Sequence, residues 1–190
     1  MDFEEVVKFH GHACPGLAFG FRVTQFALRE LEIDRSGDEE MVAIVENNSC
    51  AVDAIQAMAG CTFGKGNLIF RDYGKQVYTF LKRSDSVGVR LAIDWQPSSE
   101  SRKTEEAWKK FLAGERTPEV MALVSAHKGA KMKAILTADE LALFKVSRPE
   151  IELPASAMIY QSLACRKCGE KVMETRLGKG RLCIPCSERA

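Results

Sequence analysis

Two imidazoles and a thiol occupy alternate positions near the start of the chain, as His10, His12 and Cys14. The glycines and the proline around them disfavour a regular strand, so we expect a tight loop with Pro15 at the first position of a helix over residues 15–31. Unpaired amides and the positive end of the helix dipole would stabilise a Cys14 thiolate, which is a better metal ligand and a better nucleophile than the thiol.

Three interpretations of this group follow from the residue types. Two histidines and a cysteine suit zinc, iron or nickel as ligands. The same side chains could form an acid–base pair beside a thiol nucleophile. In a purely structural interpretation, one histidine caps the helix and Cys14 is buried in the core.

A second group of candidates is expected at another helix start. Residues 47–49 are Asn, Asn and Ser, whose side chains cap helices, and they predict a helix beginning near Cys50. Asp53 follows three residues later and therefore faces the same way as Cys50. Gly60 is expected to end this helix and to expose Cys61. Asp53 could instead only complement the helix dipole, and Cys50 could belong to the core.

The loop over residues 60–67 resembles a phosphate-binding loop only in part. A Walker A motif has four residues between its glycines and a Ser or Thr after its lysine. Here three residues separate Gly60 from Gly64, and a glycine follows Lys65. A tight turn into the next strand is therefore the simpler interpretation, and an anion-binding nest stays open as the alternative.

The remaining segments predict an α+β fold whose core is a mostly antiparallel sheet packed with helices. Three β-rich segments bounded by turn residues favour an antiparallel meander; they cover residues 68–70, 77–81 and 87–93. Capping residues and helical periodicity then indicate two helices, a capping-box-like run at residues 137–140 predicts a further short helix, and a last strand is expected to close the core. The two longer helices and the strand are predicted over residues 101–112, 118–127 and 144–153.

Four further cysteines form two CxxC pairs with fourteen residues between them: Cys165, Cys168, Cys183 and Cys186. This spacing is typical of a tetrahedral structural zinc site, in which four thiolates close the coordination sphere. Folding of so small an appendage should depend on its metal. Two redox CxxC motifs are the alternative, but no thioredoxin-like βαβ pattern surrounds either pair.

A change in composition near residues 155–161 predicts the domain boundary. The 46% hydrophobic content is enough for a packed core, whereas the segment beyond the boundary is rich in cysteine, glycine and basic residues. We therefore expect a core domain over residues 1–158 and a zinc finger over residues 159–190.

Charge and hydropathy favour neither a nucleic-acid-binding protein nor a membrane protein. Lys and Arg number 27 and Asp and Glu number 26, so the chain has no overall basic excess. The finger has a modest local excess of cations, for which a solvated face is the simpler interpretation. No apolar run approaches the length of a membrane span, and the first residues lack the features of a signal peptide. We expect a cytoplasmic protein with reduced thiols.

Four sequence motifs taken together resemble those of a known family, although no single motif is specific enough to indicate it. Phe-His-Gly-His-x-Cys-Pro-Gly at 9–16 is followed by Ser-Cys-Ala-Val-Asp-Ala-Ile-Gln at 49–56, Gly-Cys-Thr-x-Gly-Lys-Gly-Asn at 60–67 and Asp-Tyr-Gly-Lys at 72–75. This pattern resembles the FmdE family of formylmethanofuran dehydrogenase subunits. The four-cysteine tail resembles the treble-clef zinc finger that some members append.

The resemblance implies an α+β core with a metal-binding or catalytic pocket, and a homodimer. It also implies an association with a molybdenum- or tungsten-dependent formylmethanofuran dehydrogenase, the enzyme that fixes carbon dioxide as a formyl group in methanogenesis. The implied site residues are His10, His12, Cys14, Cys50 and Cys61 as metal ligands, His12, Cys14, Cys50 and Asp53 as catalytic residues, and Lys65 as a cofactor-binding residue.

The leading hypothesis is a metal-binding protein with an accessory or redox-linked role in one-carbon metabolism. Its core site would hold zinc, iron or nickel, and its finger would hold structural zinc. The usual cysteine framework of an iron–sulfur cluster is missing from the sequence, so we do not expect this chain itself to reduce carbon dioxide. The alternatives are an enzyme that uses Cys14 or Cys50 with His12 as base, and a regulator or adaptor that binds through the finger.

Overall fold

A computed structural model describes residues 1–96 and 101–188 of the chain. The chain divides into two compact units, Met1–Ser156 and Ala157–Ala190. Across the described ranges, no helix has the length and apolar character needed to span a bilayer.

The first unit contains six helices within the described ranges. They are α1 (Phe3–His10), α2 (Pro15–Glu30), α3 (Ala51–Ala59), α4 (Arg102–Leu112), α5 (Pro118–Thr137) and α6 (Glu140–Leu143). Local signals fix most of their first residues: Asp2 and Glu5 form a capping box on α1, and Thr117 caps α5 ahead of Pro118. The helix starts are therefore set by short stretches of sequence.

A five-stranded sheet forms the other layer of this unit. Its strands are β1 (Met41–Val45), β2 (Leu68–Phe70), β3 (Val77–Lys82), β4 (Gly88–Ile93) and β5 (Phe144–Ser147), in the order β2-β1-β3-β4-β5. The pair β1–β2 is parallel and the other three pairs are antiparallel. The predicted α+β fold with a mostly antiparallel sheet is confirmed.

The expected meander is correct for β3 and β4 and wrong for β2. Strand β2 pairs with β1 rather than with β3. Helix α3 connects β1 to β2, and a crossover helix of this kind returns the chain parallel to the first strand. All five residues of β1 are buried, which suits its place between two neighbours.

The helices cover one face of the sheet. Strand side chains that alternate toward this face, among them Tyr78, Phe80 and Leu91, share the main core with residues of α2 and α3. Helices α2 and α3 cross very closely at Gly20 and Ala51. Only glycine fits at position 20, because a Cβ atom there would clash with the backbone of Ala51. This crossing fixes where the two helices begin relative to each other.

Three helix and strand bounds differ from expectation. The segment before Gly11 forms helix α1, which was not predicted, α5 continues past residue 127 to Thr137, and β5 ends at Ser147 rather than at residue 153. Gly129 lies inside α5 without the positive φ that ends a helix, so the helix continues through it. Pairing of β5 stops two residues before Pro149, consistent with the extended geometry that proline imposes before itself.

The second unit is a hairpin followed by a short helix. Strands β6 (Ser162–Ala164) and β7 (Lys171–Met173) pair antiparallel, and helix α7 covers Ile184–Glu188. Two single turns of 3₁₀ helix, Glu174–Arg176 and Lys179–Arg181, lie between the hairpin and α7.

Candidate metal centres

Four side chains of the first unit converge on one point. His10 is the last residue of α1, His12 follows in the loop, Cys14 is the N-cap of α2, and Cys50 is the N-cap of α3. One ligand atom from each lies within 4.8 Å of the others. Two nitrogens and two sulfurs at this spacing could surround a single ion. We refer to these four residues as the core centre.

Local backbone features place the two helix starts side by side. Gly11 has φ +96°, in the left-handed region, so it ends α1 and turns the chain toward α2. A Cβ at Gly16 would lie 3.3 Å from the Cβ of Cys50, so glycine allows the first turn of α2 to approach α3. The Cys14 sulfur accepts a hydrogen bond from the Leu17 amide at 3.3 Å, which fixes its direction.

His10 is held in one orientation with one nitrogen unpaired. Its Nδ1 lies 2.7 Å from Oδ2 of Asp53, and its side chain is only 10% exposed. Its Nε2 is buried and has no hydrogen-bond partner within the described residues. When Nδ1–H donates to the carboxylate, Nε2 is left with a free lone pair, which is the state that binds a metal ion.

Burial and the neighbouring Cys14 disfavour ionisation of the Cys50 thiol. The pKa of Cys50 is raised, first by burial and then by the hydrogen bond and charge of Cys14. Two thiolates side by side need a compensating cation. A divalent ion bound between them would supply that charge, so the donor set fits a metal better than a pair of free thiolates.

Asp53 is the predicted site residue that the structure places behind His10. Its second oxygen accepts a 3.3 Å hydrogen bond from Gln56, one turn further along α3. The carboxylate is therefore fixed at both oxygens, in the position from which it can orient an imidazole. The i, i+3 spacing from Cys50 puts it on the face of α3 that looks toward α1.

Cys61 is not brought into the core centre. It is fully buried, and its thiol donates to the carbonyl of Met41 at 3.5 Å. Burial raises the pKa of Cys61 to about 12, so its thiol stays protonated. The close approach of Gly60 to the backbone of Ser36 turns the chain inward at this point, and Cys61 joins the main core instead of a helix end.

Lys65 binds backbone oxygens of a neighbouring loop. Its Nζ donates to the carbonyls of Ser36, Gly37 and Asp38 at 3.1, 3.3 and 2.8 Å. An ammonium group has three protons, and these three contacts use all of them. In this structure the side chain ties the 60–67 loop to the segment before β1.

Sequence reasoning missed the network that shapes the turn before Cys50. Asn47 is buried; its Oδ1 accepts from the amide and the hydroxyl of Ser49 at 3.1 and 2.7 Å, and its Nδ2 donates to the Lys75 carbonyl at 2.7 Å. The Tyr78 hydroxyl donates to Gln76 at 2.7 Å beside this turn. The Asn-Asn-Ser run was the available signal, but it predicts a helix cap, whereas the structure uses it to brace the turn.

The four cysteines of the second unit also converge. Their sulfurs lie within 4.8 Å of one another. Cys165 and Cys168 flank the turn between β6 and β7, and Cys183 and Cys186 lie at the start of α7. Gly169, with φ +78°, closes the first turn. We call this group the four-cysteine site, and it is compatible with a small zinc site.

Backbone amides prepare Cys165 to act as a ligand. Hydrogen bonds from the amides of Cys168 and Cys183 lower the pKa of Cys165 to about 6. The Cys183 amide lies 3.4 Å from the Cys165 sulfur. Amide-to-sulfur bonds stabilise the thiolate, which is the form that binds a metal.

A family model described as "FmdE, Molybdenum formylmethanofuran dehydrogenase operon" matches residues 9–145, which is most of the chain. The chain belongs to the FmdE family. The resemblance seen in the sequence motifs is thereby confirmed, and the matched range contains every residue of the core centre.

Two further proteins are similar to this FmdE family chain. A "probable S-adenosyl-L-methionine-binding protein" from Archaeoglobus fulgidus is 33% identical over 190 residues; the match covers 95% of this chain but only 50% of that relative. The chain thus spans about half the length of this curated relative. A crystal structure of a tungsten formylmethanofuran dehydrogenase FmdE-like protein from Syntrophus aciditrophicus has a similar fold, with TM-score 0.64 and 20% identity. That similarity covers 100% of this chain and 94% of the other.

Proposed function

We propose that this FmdE family protein binds one metal ion at the core centre through His10, His12, Cys14 and Cys50. One observation carries the proposal: the buried Nε2 of His10 has no partner in the described residues, while Asp53 holds the opposite nitrogen. A buried nitrogen without a hydrogen bond is costly. A metal ion at the centre of the four ligand atoms would satisfy it.

The ligand set narrows the identity of the ion and its chemistry. Two imidazoles and two thiolates suit zinc, iron or nickel, and they suit magnesium or calcium poorly. His12 is exposed, so one side of the core centre is open to solvent. Four protein ligands complete a tetrahedral shell, so a small molecule could reach the ion there only as a fifth ligand or by displacing His12.

The four-cysteine site is proposed to hold a structural zinc ion. Four thiolates leave no open position, and the sulfurs are supplied by a hairpin turn and a helix start, as in treble-clef fingers. We propose the finger as a separate domain over residues 159–190, following the core domain over residues 1–158.

Metal content per chain tests both sites. In protein purified from its native host, we expect two ions, one lost in Cys14→Ser and the other lost in Cys165→Ser. Cys61→Ala is the matched control, because its thiol is buried in the same unit but outside the core centre. It should retain both ions. A single ion that survives Cys14→Ser and disappears with Cys165→Ser would refute the core metal centre.

A thiol-dependent enzyme is the second candidate, and the hydrogen-bonded Cys14–Cys50 pair beside His12 favours it. In this case Cys14 or Cys50 is the nucleophile and His12 the base. Alkylation with iodoacetamide separates the two candidates. A metal centre protects both thiols until a chelator is added, whereas a free nucleophile reacts at once in the native protein.

The biological role proposed here is an accessory or redox-linked one in methanogenesis-type one-carbon metabolism. Family membership supports this role. It also supports two further proposals, a homodimer and an association with the other chains of a molybdenum or tungsten dehydrogenase complex. The name of the Archaeoglobus relative adds S-adenosyl-L-methionine as a ligand to test. Mass measurement of the natively purified assembly tests the partners. Co-purifying dehydrogenase chains support the role, and a dimer of this chain alone opposes the association.

A further inference from the structure

The face of the sheet opposite the helices contains a cavity that the core centre does not use. Hydrogen-bonded pairing aligns Ile44, Thr79, Arg90 and Ser147 in one row across β1, β3, β4 and β5. Their sequence neighbours on β1, β3 and β4 belong to the main core, so this row faces away from the helices. The row forms the floor of a cavity of about 390 Å³, which we call the sheet-face cavity.

Chain segments outside the helices border this cavity. Leu153 packs on Val42, Ile44 and Leu81 and covers the neighbouring part of the sheet face. The segment 147–151 and Arg71, which directly follows β2, form the cavity walls. Its volume is within the range of pockets that take small molecules.

Three arginines from three elements line the cavity: Arg71 after β2, Arg90 on β4 and Arg148 after β5. Two carboxylates, those of Glu46 and Glu150, also line it. The lining therefore has one more positive charge than negative charge.

The arginine groups are poorly satisfied by the protein itself. Arg90 reaches the largely buried Glu46 at 3.4 Å, which is a long contact for a buried ion pair. Within the residues that the structure describes, the guanidinium groups of Arg71 and Arg148 have neither an ion pair nor a hydrogen bond. Thr79 is 4% exposed and places a hydroxyl on the cavity floor. Two guanidinium groups that have no partner among the described residues, beside a hydroxyl, form a pattern of donors that suits an anion.

We propose that the sheet-face cavity binds a small organic anion with a carboxylate or phosphate group. Arg71 and Arg148 pair with the anionic group, and the Thr79 hydroxyl donates to it. Ile44, Pro149 and Ile151 contact its carbon skeleton. Glu46 opposes the ligand and sets how strongly it binds. The site is independent of the metal proposal, because no residue of the core centre lines the cavity.

Calorimetric titration of the full chain tests this proposal with two probes, succinate and inorganic phosphate, each against sodium chloride of equal ionic strength. We expect saturable binding of one probe molecule per chain. Tighter binding of succinate identifies a carboxylate ligand, and tighter binding of phosphate identifies a phosphate ligand. Failure of both probes to saturate the protein would overturn the proposal.

Variants with opposite expected effects separate binding from misfolding. Arg148→Ala should weaken binding of the preferred probe by about tenfold or more, because a charge-assisted bidentate contact is lost. Glu46→Gln should strengthen it, since it removes an opposing carboxylate without changing shape. Arg102→Ala is the matched control: this arginine is exposed on α4 and pairs with Glu106, so affinity should not change.

The circular dichroism spectrum and the denaturant unfolding curve of each variant report whether the fold is intact. Thr79→Val, which keeps the shape of the side chain, should weaken binding several-fold while the circular dichroism spectrum is unchanged. Equal losses in Arg148→Ala and Arg102→Ala would show non-specific attraction and refute the site. A weaker affinity in Glu46→Gln would refute the arrangement of charges proposed here.

Discussion

The core centre and the four-cysteine site bring four ligand atoms together by different routes. The first joins the end of α1 to the starts of α2 and α3, with 35 residues between its third and fourth ligands. The second is built from a hairpin turn and the start of one short helix. Packing of the main core positions the first group, whereas only the turn and the helix start position the second group.

Burial makes this difference quantitative. Among the described residues of the second unit, only Cys165 and Cys183 are buried. The first unit buries some thirty apolar side chains around and beside its sheet. A unit without a hydrophobic core must take its stability from the metal, while a unit with a core can fold first and then bind one.

Removal of metal by a chelator should therefore have the largest effect on folding, and it should affect the second unit far more than the first. Removal of metal from the whole protein should unfold the second unit, because structural zinc supplies roughly 10–16 kcal/mol in such units. The first unit should keep its fold. Two-dimensional NMR before and after chelator would show this as collapsed dispersion for residues 162–188 alone. Loss of dispersion throughout the chain would contradict the division.

Overpacking the helix crossing should affect the core centre and the stability of the first unit, but not the four-cysteine site. Gly20→Ala places a Cβ against the backbone of Ala51 and should cost about 1–3 kcal/mol in the free energy of unfolding. The starts of α2 and α3 should separate, so the core metal should be lost while the four-cysteine site keeps its ion. Denaturant unfolding and metal analysis measure the two effects.

A glycine in open space provides the control for that substitution. Gly129 lies within α5 with no atom near its missing Cβ. Gly129→Ala should leave both ions in place and raise the free energy of unfolding by up to about 1 kcal/mol. If Gly20→Ala retained the core ion, the crossing would not be what aligns Cys14 with Cys50.

Removing the charge behind His10 should weaken the core metal without unfolding the unit. Asp53→Asn keeps the shape but weakens the hydrogen bond that selects the Nδ1–H form of His10, so affinity should fall about 10–100-fold. Competition with a chromogenic chelator measures it. Gln56→Ala, which removes only the contact to the other carboxylate oxygen, should change affinity far less. Equal affinity in Asp53→Asn and wild type would show that the Asp53 charge does not select the metal-binding form of His10.

The parts of the site that the sequence predicted are those with local signals. Pro15 and the Asn-Asn-Ser run mark helix starts, so Cys14 and Cys50 could be placed at helix ends before their meeting was visible. We expect the convergence itself to depend on the close approach of Gly20 to Ala51, a contact between residues far apart in the chain. Helix α1 had a signal as well, the capping box of Asp2 and Glu5, but the glycines that follow it favour a loop in the same stretch.

Other features could not be read locally. Strand β2 is parallel because it pairs with β1 rather than with β3. A short apolar run predicts a strand but does not specify which strand it pairs with. Cys61 follows a helix end much as Cys14 and Cys50 adjoin helix starts, yet the left-handed Gly60 turns the chain into the core. Residue type and spacing alone did not distinguish a thiol of the core centre from a thiol of the hydrophobic core.

Substitution of Lys65 should have the smallest effect on stability. It tests whether this motif residue stabilises the fold or belongs to a binding site. Lys65→Met should lower the free energy of unfolding by about 1–2 kcal/mol, because three carbonyl oxygens lose a charged donor. Core metal affinity should not change. Lys75→Met is the control, since its side chain is exposed and only its backbone is bonded to the Asn47 turn. If Lys65→Met had unchanged stability but lost bound ligand or metal, Lys65 and the 60–67 loop would instead belong to a functional site.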